Sequence, residues 1–324
     1  MKSPTQAECN PFPFTDSNKR YYTYEYWLRQ TFGRKCAKIP LDGGFTCPNR
    51  DGRCGYGGCI YCSPRGSGDF AQPAAVPLRE QYDRTRVALS AKWPVDACIP
   101  YFQAYTNTYA PLPILREKFE QVLTFPGVVG MNIATRADCL PPEVLVYLSD
   151  LSCRTVLTVE LGLQTAHDGT AARIHRGHTM ADFVEGYTRL REACPRAVTC
   201  IHLIFGLPGE DEGMMLDSVR AVAALHPHQV KLHLLHVLRG TALGEMYLRG
   251  AYVPMERADY IRTVVEALEL LPPDTVVARL TGDGMAEELL APDWSRRKVT
   301  VINDIDKALY AGDTWQGKNY KQKV

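Results

Sequence analysis

Four cysteines, Cys47, Cys54, Cys59 and Cys62, fall within sixteen residues in the stretch FTCPNRDGRCGYGGCIYCS. Two thiolates separated by two residues, as in Cys59-Ile-Tyr-Cys62, can meet on one metal centre from a single tight loop. Gly55, Gly57 and Gly58 give that loop the backbone freedom it needs. One chemistry for the segment is a structural zinc site of four thiolates. Such sites usually carry two separated Cys-x-x-Cys hooks, and here there is one. An iron–sulfur cluster fits the spacing better, with three ligands or four both open. The other seven cysteines (Cys9, Cys36, Cys98, Cys139, Cys153, Cys194 and Cys200) are scattered, several in apolar runs such as VTCIHLIF. They read as small buried hydrophobes. The sequence has no Gly-x-x-x-x-Gly-Lys loop, no Ser–His–Asp signature and no His-Glu-x-x-His.

The elements that must position such a loop alternate along the chain. Apolar or β-branched runs at Cys36–Leu41, Ala97–Gln103, Val128–Ala134, Thr155–Leu161, Val198–Phe205 and Gln229–Leu235 read as strands. Helical periodicity follows each, over Pro77–Lys92, Pro113–Leu123, Pro142–Leu151, Ala181–Cys194, Glu212–Leu225 and Glu256–Leu271. Thr179-x-x-Asp182 resembles a capping box ahead of the fourth helix. Strands separated by helices imply right-handed βαβ units and a parallel sheet. Six such units predict an α/β fold, an open or partial (β/α)6 TIM-like barrel spanning 36–271. Extensions of 1–35 and 272–324 flank it, the latter with a strand candidate at Thr275–Leu280, a helix at Asn303–Tyr310 and a frayed end, QGKNYKQKV. In such folds reactive groups gather at the carboxyl ends of the strands. The unusual residues fall there: the cysteine loop, Gln103-Ala-Tyr105-Thr106, Thr135-Arg136, Glu160-Leu-Gly162-Leu-Gln164, Gly206-Leu207-Pro208-Gly209 and His233-Leu-Leu-His236.

Composition sets the class. The chain has 324 residues, of which 45% are hydrophobic and 23% charged, as in an ordinary globular protein with a real core. A net charge of +1 provides no global attraction to nucleic acid or anionic lipid. No apolar run reaches the roughly 20 residues of a membrane span, and no secretory signal is visible in the first twenty residues. A cytoplasmic enzyme is expected.

The cysteine loop resembles that of radical SAM enzymes, in which three cysteines bind three irons of a 4Fe–4S cluster. The fourth iron is left open for the amino and carboxylate groups of S-adenosylmethionine. Tyr61 stands where that superfamily has an aromatic residue before the third cysteine. More narrowly, CPNRDG…GGCIYC, YFQAYTNTY, ATRADC, ELGLQTAHD, IHRGHT, HLIFGLPGE and KLHLLHVLRGT are similar to the YhcC-type radical SAM proteins. Those are relatives of the catalytic subunit of the Elongator tRNA-modifying complex. The resemblance covers roughly Tyr22 to Lys298.

It implies that Cys47, Cys59 and Cys62 are the cluster ligands, with Cys54 left over. It implies that Gln103, Tyr105 and Thr106 meet the methionine amino group, and that Glu160 and Gln164 contact ribose or methionine. Arg136 is a partner for the carboxylate, and Arg176 a carboxylate or substrate clamp. The turn Gly206-Leu207-Pro208 lets adenine approach the backbone. His202 and His233 are counted with the cofactor contacts, and His233 and His236 alternatively as substrate contacts. Two competing readings stand beside these: Glu160 in a salt bridge with Arg136 or Lys231, and Arg136 as a structural residue.

The resemblance also implies a one-electron donor such as flavodoxin or ferredoxin. The Elongator subunit carries an acetyltransferase domain that this chain is too short to contain, so the cofactors are specified and the substrate is not. One substrate reading is a tRNA base. Lys19, Arg20, Arg29, Arg34, Lys35 and Lys38 stand against Glu25 alone between residues 19 and 38, interleaved with Tyr21, Tyr22, Tyr24, Tyr26 and Trp27, which could stack bases. An N-terminal helix packing its aromatics on the barrel would have the same composition. The other substrate reading is a small metabolite or peptide side chain, and a zinc-stabilised scaffold is the non-enzyme alternative.

Overall fold

The computed structural model describes residues 10–282 and 287–321. Its centre is a seven-stranded parallel sheet whose strands run in chain order: β1 (Ala37–Leu41), β2 (Cys98–Phe102), β3 (Gly130–Thr135), β4 (Val156–Gln164), β5 (Val198–Phe205), β6 (Gln229–Leu234) and β8 (Val276–Arg279). Because the order never reverses, every crossover goes the same way and the sheet curls into a partial barrel. Helices α2 (Leu78–Ser90), α3 (Leu112–Leu123), α4 (Pro142–Arg154), α6 (Met180–Ala193), α7 (Glu212–Leu225) and α9 (Arg257–Leu270) form the crossovers. Their apolar stripes build the core: Leu115, Phe119 and Val122 of α3 are buried, as are Phe183, Tyr187 and Leu190 of α6. Thr179 caps α6 with the reciprocal Asp182 bonds that its sequence announces. Both faces of the inner strands are covered, so β2 reads CIPYF with every residue buried.

The sheet extends past the six expected strands. The run at Thr275–Leu280 becomes β8, whose Val276 and Val277 pair in parallel with Gln229 and Val230 of β6. The short elements α5 (Asp168–Arg173), α8 (Ala242–Leu248), β7 (Val237–Leu238) and β9 (Leu289–Ala291) are defined by packing, and α1 (Tyr24–Phe32) is the amphipathic N-terminal helix that packs its aromatics on the barrel. In α1, Thr23 caps the Tyr26 N–H and Gly33 (φ 66°) ends the helix. Its Tyr24 and Trp27 pack on Cys36, Ala97 and Ile99, at the starts of β1 and β2.

Residues 316–320 of the carboxyl-terminal stretch are anchored rather than frayed. After α10 (Lys298–Ala311), buried Gln316 donates to the carbonyls of Pro272 and Thr275 and accepts from the Tyr22 N–H. Residues 322–324 of that stretch, and Cys9, lie outside the described residues. Of the scattered cysteines, Cys36, Cys98, Cys139, Cys194 and Cys200 are buried as expected, whereas Cys153, in the last turn of α4, is exposed. Among the described residues no helix is long and apolar enough to cross a membrane.

Candidate active site

A cavity of about 250 Å³ opens at the carboxyl ends of the strands. Cys47, Cys59 and Cys62 line one end of it, whereas Cys54 does not line it and is exposed. The loop is turned by its own backbone: Cys62 N–H donates to the Cys59 carbonyl, Cys54 N–H to Pro48, and Gly58 N–H to Asn49. Gly58 stands at φ 87°, a conformation that glycine adopts at little cost. The Asn49 amide nitrogen donates to the carbonyl of Arg176 at 2.7 Å and lies 3.4 Å from Cys59 Sγ. A hydrogen bond of this kind orients a thiolate ligand. The sequence reading missed Asn49, though its place two residues after Cys47 was the available signal.

The residues after β2 brace the loop from the other side. Gln103 donates its amide to the Ser67 carbonyl at 2.8 Å, Tyr105 N–H donates to Gly66, and Thr106 N–H to Thr46. The Tyr105 hydroxyl donates to the Pro64 carbonyl, and its ring lies over Gly66 where any Cβ would collide with it. All three side chains line the cavity, as does Tyr61.

Arg136 and Arg176 also line it, in different states. Arg136 is buried and fully engaged, with Nε and Nη2 on the two Asp138 oxygens at 2.9 and 2.7 Å, and Nη1 and Nη2 on the carbonyls of Arg176 and Gly177. That geometry ties the β3 end to the segment behind the cysteine loop. Arg176 donates Nη2 to the Gly162 carbonyl, while its buried Nε has no partner. The buried Oε1 of Gln164 is likewise unpartnered. Both side chains fold over Gly162, where a Cβ would stand 2.6 Å from Gln164 Nε2 and 3.0 Å from Arg176 Nη2. Two buried, unsatisfied polar atoms at one cavity wall are what a site for a polar ligand requires.

Glu160 is 1% exposed and holds four donors: Lys38 Nζ at 2.5 Å, Asn132 Nδ2 at 2.7 Å, His202 Nε2 at 2.9 Å and Lys231 Nζ. The Lys231 salt bridge is one of the two pairings open from sequence, and Arg136 takes no part. Burial works to raise the Glu160 carboxyl, and the neighbouring Lys231, Lys38 and His202 outweigh it and hold it well below the carboxylate range. Burial pushes Lys38 down to about 7 and His202 down to about 4, with the Lys231 charge adding to both shifts. The His233 ring, 5.3 Å from that of His202, is driven well below its usual value by burial. Lys38, Tyr101 and Asn132 escaped the sequence reading as residues of this site, and alternation along β6 puts Lys231 on the face of His233.

Gly206, Leu207 and Pro208 are not brought to the cavity. Gly206 (φ 86°) accepts the Tyr252 hydroxyl on its carbonyl and sits against Met255, and the Pro208 carbonyl accepts from Arg173 at 2.7 Å. They form the packed turn into α7. The N-terminal basic segment is also engaged within the chain. Lys19 pairs with Asp306, Arg20 with Asp313, Arg29 with Asp16 and Glu25, and Lys35 sits 4.2 Å from the Trp93 ring centroid.

The radical SAM superfamily model matches residues 50–222 of the sequence, and the radical SAM C-terminal domain model matches residues 227–311. The chain belongs to the radical SAM superfamily, and with it comes the class: an enzyme with a 4Fe–4S cluster and S-adenosylmethionine as cofactors. Within that superfamily it is 46% identical to protein YtqA of Bacillus subtilis (strain 168) over 97% of both chains. It is 34% identical to protein YhcC of Escherichia coli (strain K12) over 87% of this chain and 90% of that one. Human Elongator complex protein 3 is 28% identical over 48% of this chain and 28% of its own. The structure of an archaeal Elp3 from Methanocaldococcus infernus superimposes with a TM-score of 0.62 at 17% identity, over 87% of this chain and 64% of that one, a likeness of fold.

Proposed function

We propose that this protein reductively cleaves S-adenosylmethionine at a 4Fe–4S cluster held by Cys47, Cys59 and Cys62, and that the 5′-deoxyadenosyl radical released then abstracts a hydrogen from a tRNA base. The observation that carries the first part is the separation of the four cysteines: three line one cavity end and Cys54 faces solvent. When bound, the cluster supplies one electron to the sulfonium of S-adenosylmethionine, through an iron that no cysteine occupies. The chain's own residues do the rest. Asn49 orients Cys59, and Gln103 and Tyr105 hold the loop at a fixed distance from the sheet. Arg176 and Gln164 offer their unpartnered atoms to the polar end of the cofactor. The enclosing sheet and loops exclude water and oxygen from a reactive radical. A reducing cytoplasm and a small one-electron donor such as flavodoxin or ferredoxin suit such a cluster.

Similarity to Elongator complex protein 3 supports the tRNA reading. The engagement of Lys19, Arg20 and Arg29 in ion pairs favours the second reading, a small metabolite or peptide in the cavity. Anaerobically reconstituted protein tests the chemistry: it should hold about four irons and four sulfides per chain and form 5′-deoxyadenosine when reduced. Stoichiometric zinc without iron would refute it. The substrate is tested by tRNA binding across a salt series, with Arg29, Arg34 and Lys35 reversed to Glu. Weakened binding with a shallower salt slope supports tRNA. No binding by the native protein at low salt removes that substrate and leaves the small-molecule reading.

A further inference from the structure

The cavity has two ends of different electrical character. At the cysteine end, its carboxylate Asp69 accepts from Ser63 at 2.6 Å. At the other end the wall is made by Tyr101, Glu160, His202, Lys231 and His233. Glu160 is the one carboxylate among the described lining residues there, and it is shared by two ammonium groups, Lys38 and Lys231. Both oxygens of Glu160 are occupied, Oε1 by Lys38 and Asn132 and Oε2 by His202 and Lys231. Lys231 is buried and Lys38 a quarter exposed on this one buried carboxylate, and Arg279, beside Lys231, lines the same wall, so among the described residues basic groups outnumber Glu160 there.

Lys231 is 4% exposed, and an ammonium carries three donors. His233 lines the cavity and makes no hydrogen bond among the described residues. Glu160, Cys200 and His202 lie close enough together to suggest a metal site, but a metal cation here would add to the excess of positive charge and find the carboxylate already occupied. Charge and free donors both point to an anion.

We propose that this end of the cavity seats the reacting molecule by an anionic group, a carboxylate or a phosphate, taken by the ammonium of Lys231 and a ring N–H of His233. The inference rests on the cavity being the reaction chamber. It makes Lys231 and His233 substrate-binding residues, and Glu160 with His202 the positioning pair behind them. A ligand anion adds a second negative charge beside the ammonium groups that share Glu160.

Proton uptake follows from the same balance. Lys38 is faced by Glu160 from β4, Lys231 from β6, Cys200 from β5, Tyr101 from β2 and Tyr24 from α1. Of these, Lys231 and burial drive its proton off, and an arriving anion opposes both. Bound anion therefore raises the Lys38 pKa from about 7, and above neutral pH the complex gains a proton.

The test titrates anaerobically reconstituted holoprotein by calorimetry with inorganic phosphate, acetate and malonate, with chloride at matched ionic strength as control. Saturable binding of an oxyanion is expected. Phosphate alone would identify a phosphate ester as the source, and acetate or malonate alone a carboxylate. His233→Asn, which loses no internal hydrogen bond, should weaken binding about fivefold, and Lys231→Met more than about tenfold. At pH 8, titrations in two buffers of different ionisation heat should show uptake approaching one proton, absent from Lys38→Met. Iron content and circular dichroism establish that each variant is folded. No saturable binding of any oxyanion, heats equal to those of chloride, or unchanged affinity in both His233→Asn and Lys231→Met would overturn the proposal. A native protein that binds the anion but makes no 5′-deoxyadenosine would overturn the proposed activity instead.

Discussion

Replacing Glu160 by Gln removes one negative charge from the centre of the barrel and leaves the shape almost unchanged. In the native protein its two oxygens receive Lys38 at 2.5 Å, Asn132 at 2.7 Å, His202 at 2.9 Å and Lys231. The amide of the variant has one acceptor oxygen, and its NH₂ would face donors. The 4%-exposed Lys231 then loses its counter-charge. Breaking a buried ion pair from one side costs roughly 3–5 kcal/mol, a large part of the roughly 5–15 kcal/mol that holds a domain folded. At about 2–4 °C per kcal/mol in large domains, the midpoint of thermal unfolding at pH 7 should fall by roughly 6–20 °C. Circular dichroism of the anaerobic holoprotein reads it. The companion variant carries Lys231→Met as well. With the uncompensated charge gone, it should recover part of the loss, a coupling that only groups in contact show. A single variant within about 1 kcal/mol of native, or a double variant no more stable than the single, would refute the picture of Glu160 as the shared counter-charge.

Acidification should destabilise the protein between about pH 6.5 and 4. His202, 14% exposed, has its pKa lowered from 6.5 to about 4, so the unfolded chain binds the proton first. Stability present above pH 6.5 is then lost at up to ~1.4 kcal/mol per pH unit for this one group, and His178, also pushed down to about 4, acts in the same direction. A flat unfolding free energy over that window, read by urea denaturation, would exclude the buried neutral imidazoles. Cys54→Ser should retain iron and 5′-deoxyadenosine formation near native levels, and Cys47→Ala, Cys59→Ala and Cys62→Ala should each lose cluster or cleavage. Equal loss in all four would mean four protein ligands. Gly162→Ala should weaken S-adenosylmethionine binding about tenfold by displacing Gln164 and Arg176, which would otherwise stand 2.6 and 3.0 Å from the new Cβ; unchanged affinity would take those two side chains out of the site.

The βαβ skeleton was legible because strand and helix periodicities differ and each unit repeats the switch. Val198–Phe205 and Glu212–Leu225 coincide with β5 and α7 residue for residue. Short elements outside the repeating βαβ units, such as α8 and the β7–β9 pair, carry too few positions for a period, and tertiary packing decides them. The cysteine loop and most polar strand ends were legible because the fold sends every strand's carboxyl end to one face, whereas the choice of Cys47, Cys59 and Cys62 among the four cysteines came from the family resemblance. The turn Gly206-Leu207-Pro208 follows a strand as well, but its glycine is required by the approach of Met255 and its carbonyl is taken by Tyr252. Local spacing cannot separate a turn that opens on a ligand from one that packs on the next helix. Lys38 escaped for a related reason: its partner Glu160 is 122 residues away.

Backbone strain marks the same region independently of any side-chain chemistry. Of the described non-glycine residues with positive φ, Tyr105 (61°), Gln164 (78°) and Ser67 (64°) line the cavity, and His175 (56°) lies directly behind the cysteine loop. Each such conformation costs on the order of 1–3 kcal/mol and persists where the surroundings over-determine it. The surroundings here do so. Tyr105 is fixed by Gly66 and Pro64, Ser67 by the Gln103 amide on its carbonyl, and the His175 carbonyl by Asn49 at 2.9 Å. These bonds join the β2 end, the cysteine loop and the segment after α5 into one unit. A loop whose three thiolates had to be gathered by the cluster alone would need no such framework. One set in place by the fold brings Cys47, Cys59 and Cys62 to the same cavity as Gln164 and Arg176, where the three thiolates would hold the cluster and the two polar side chains would meet its partner ligand.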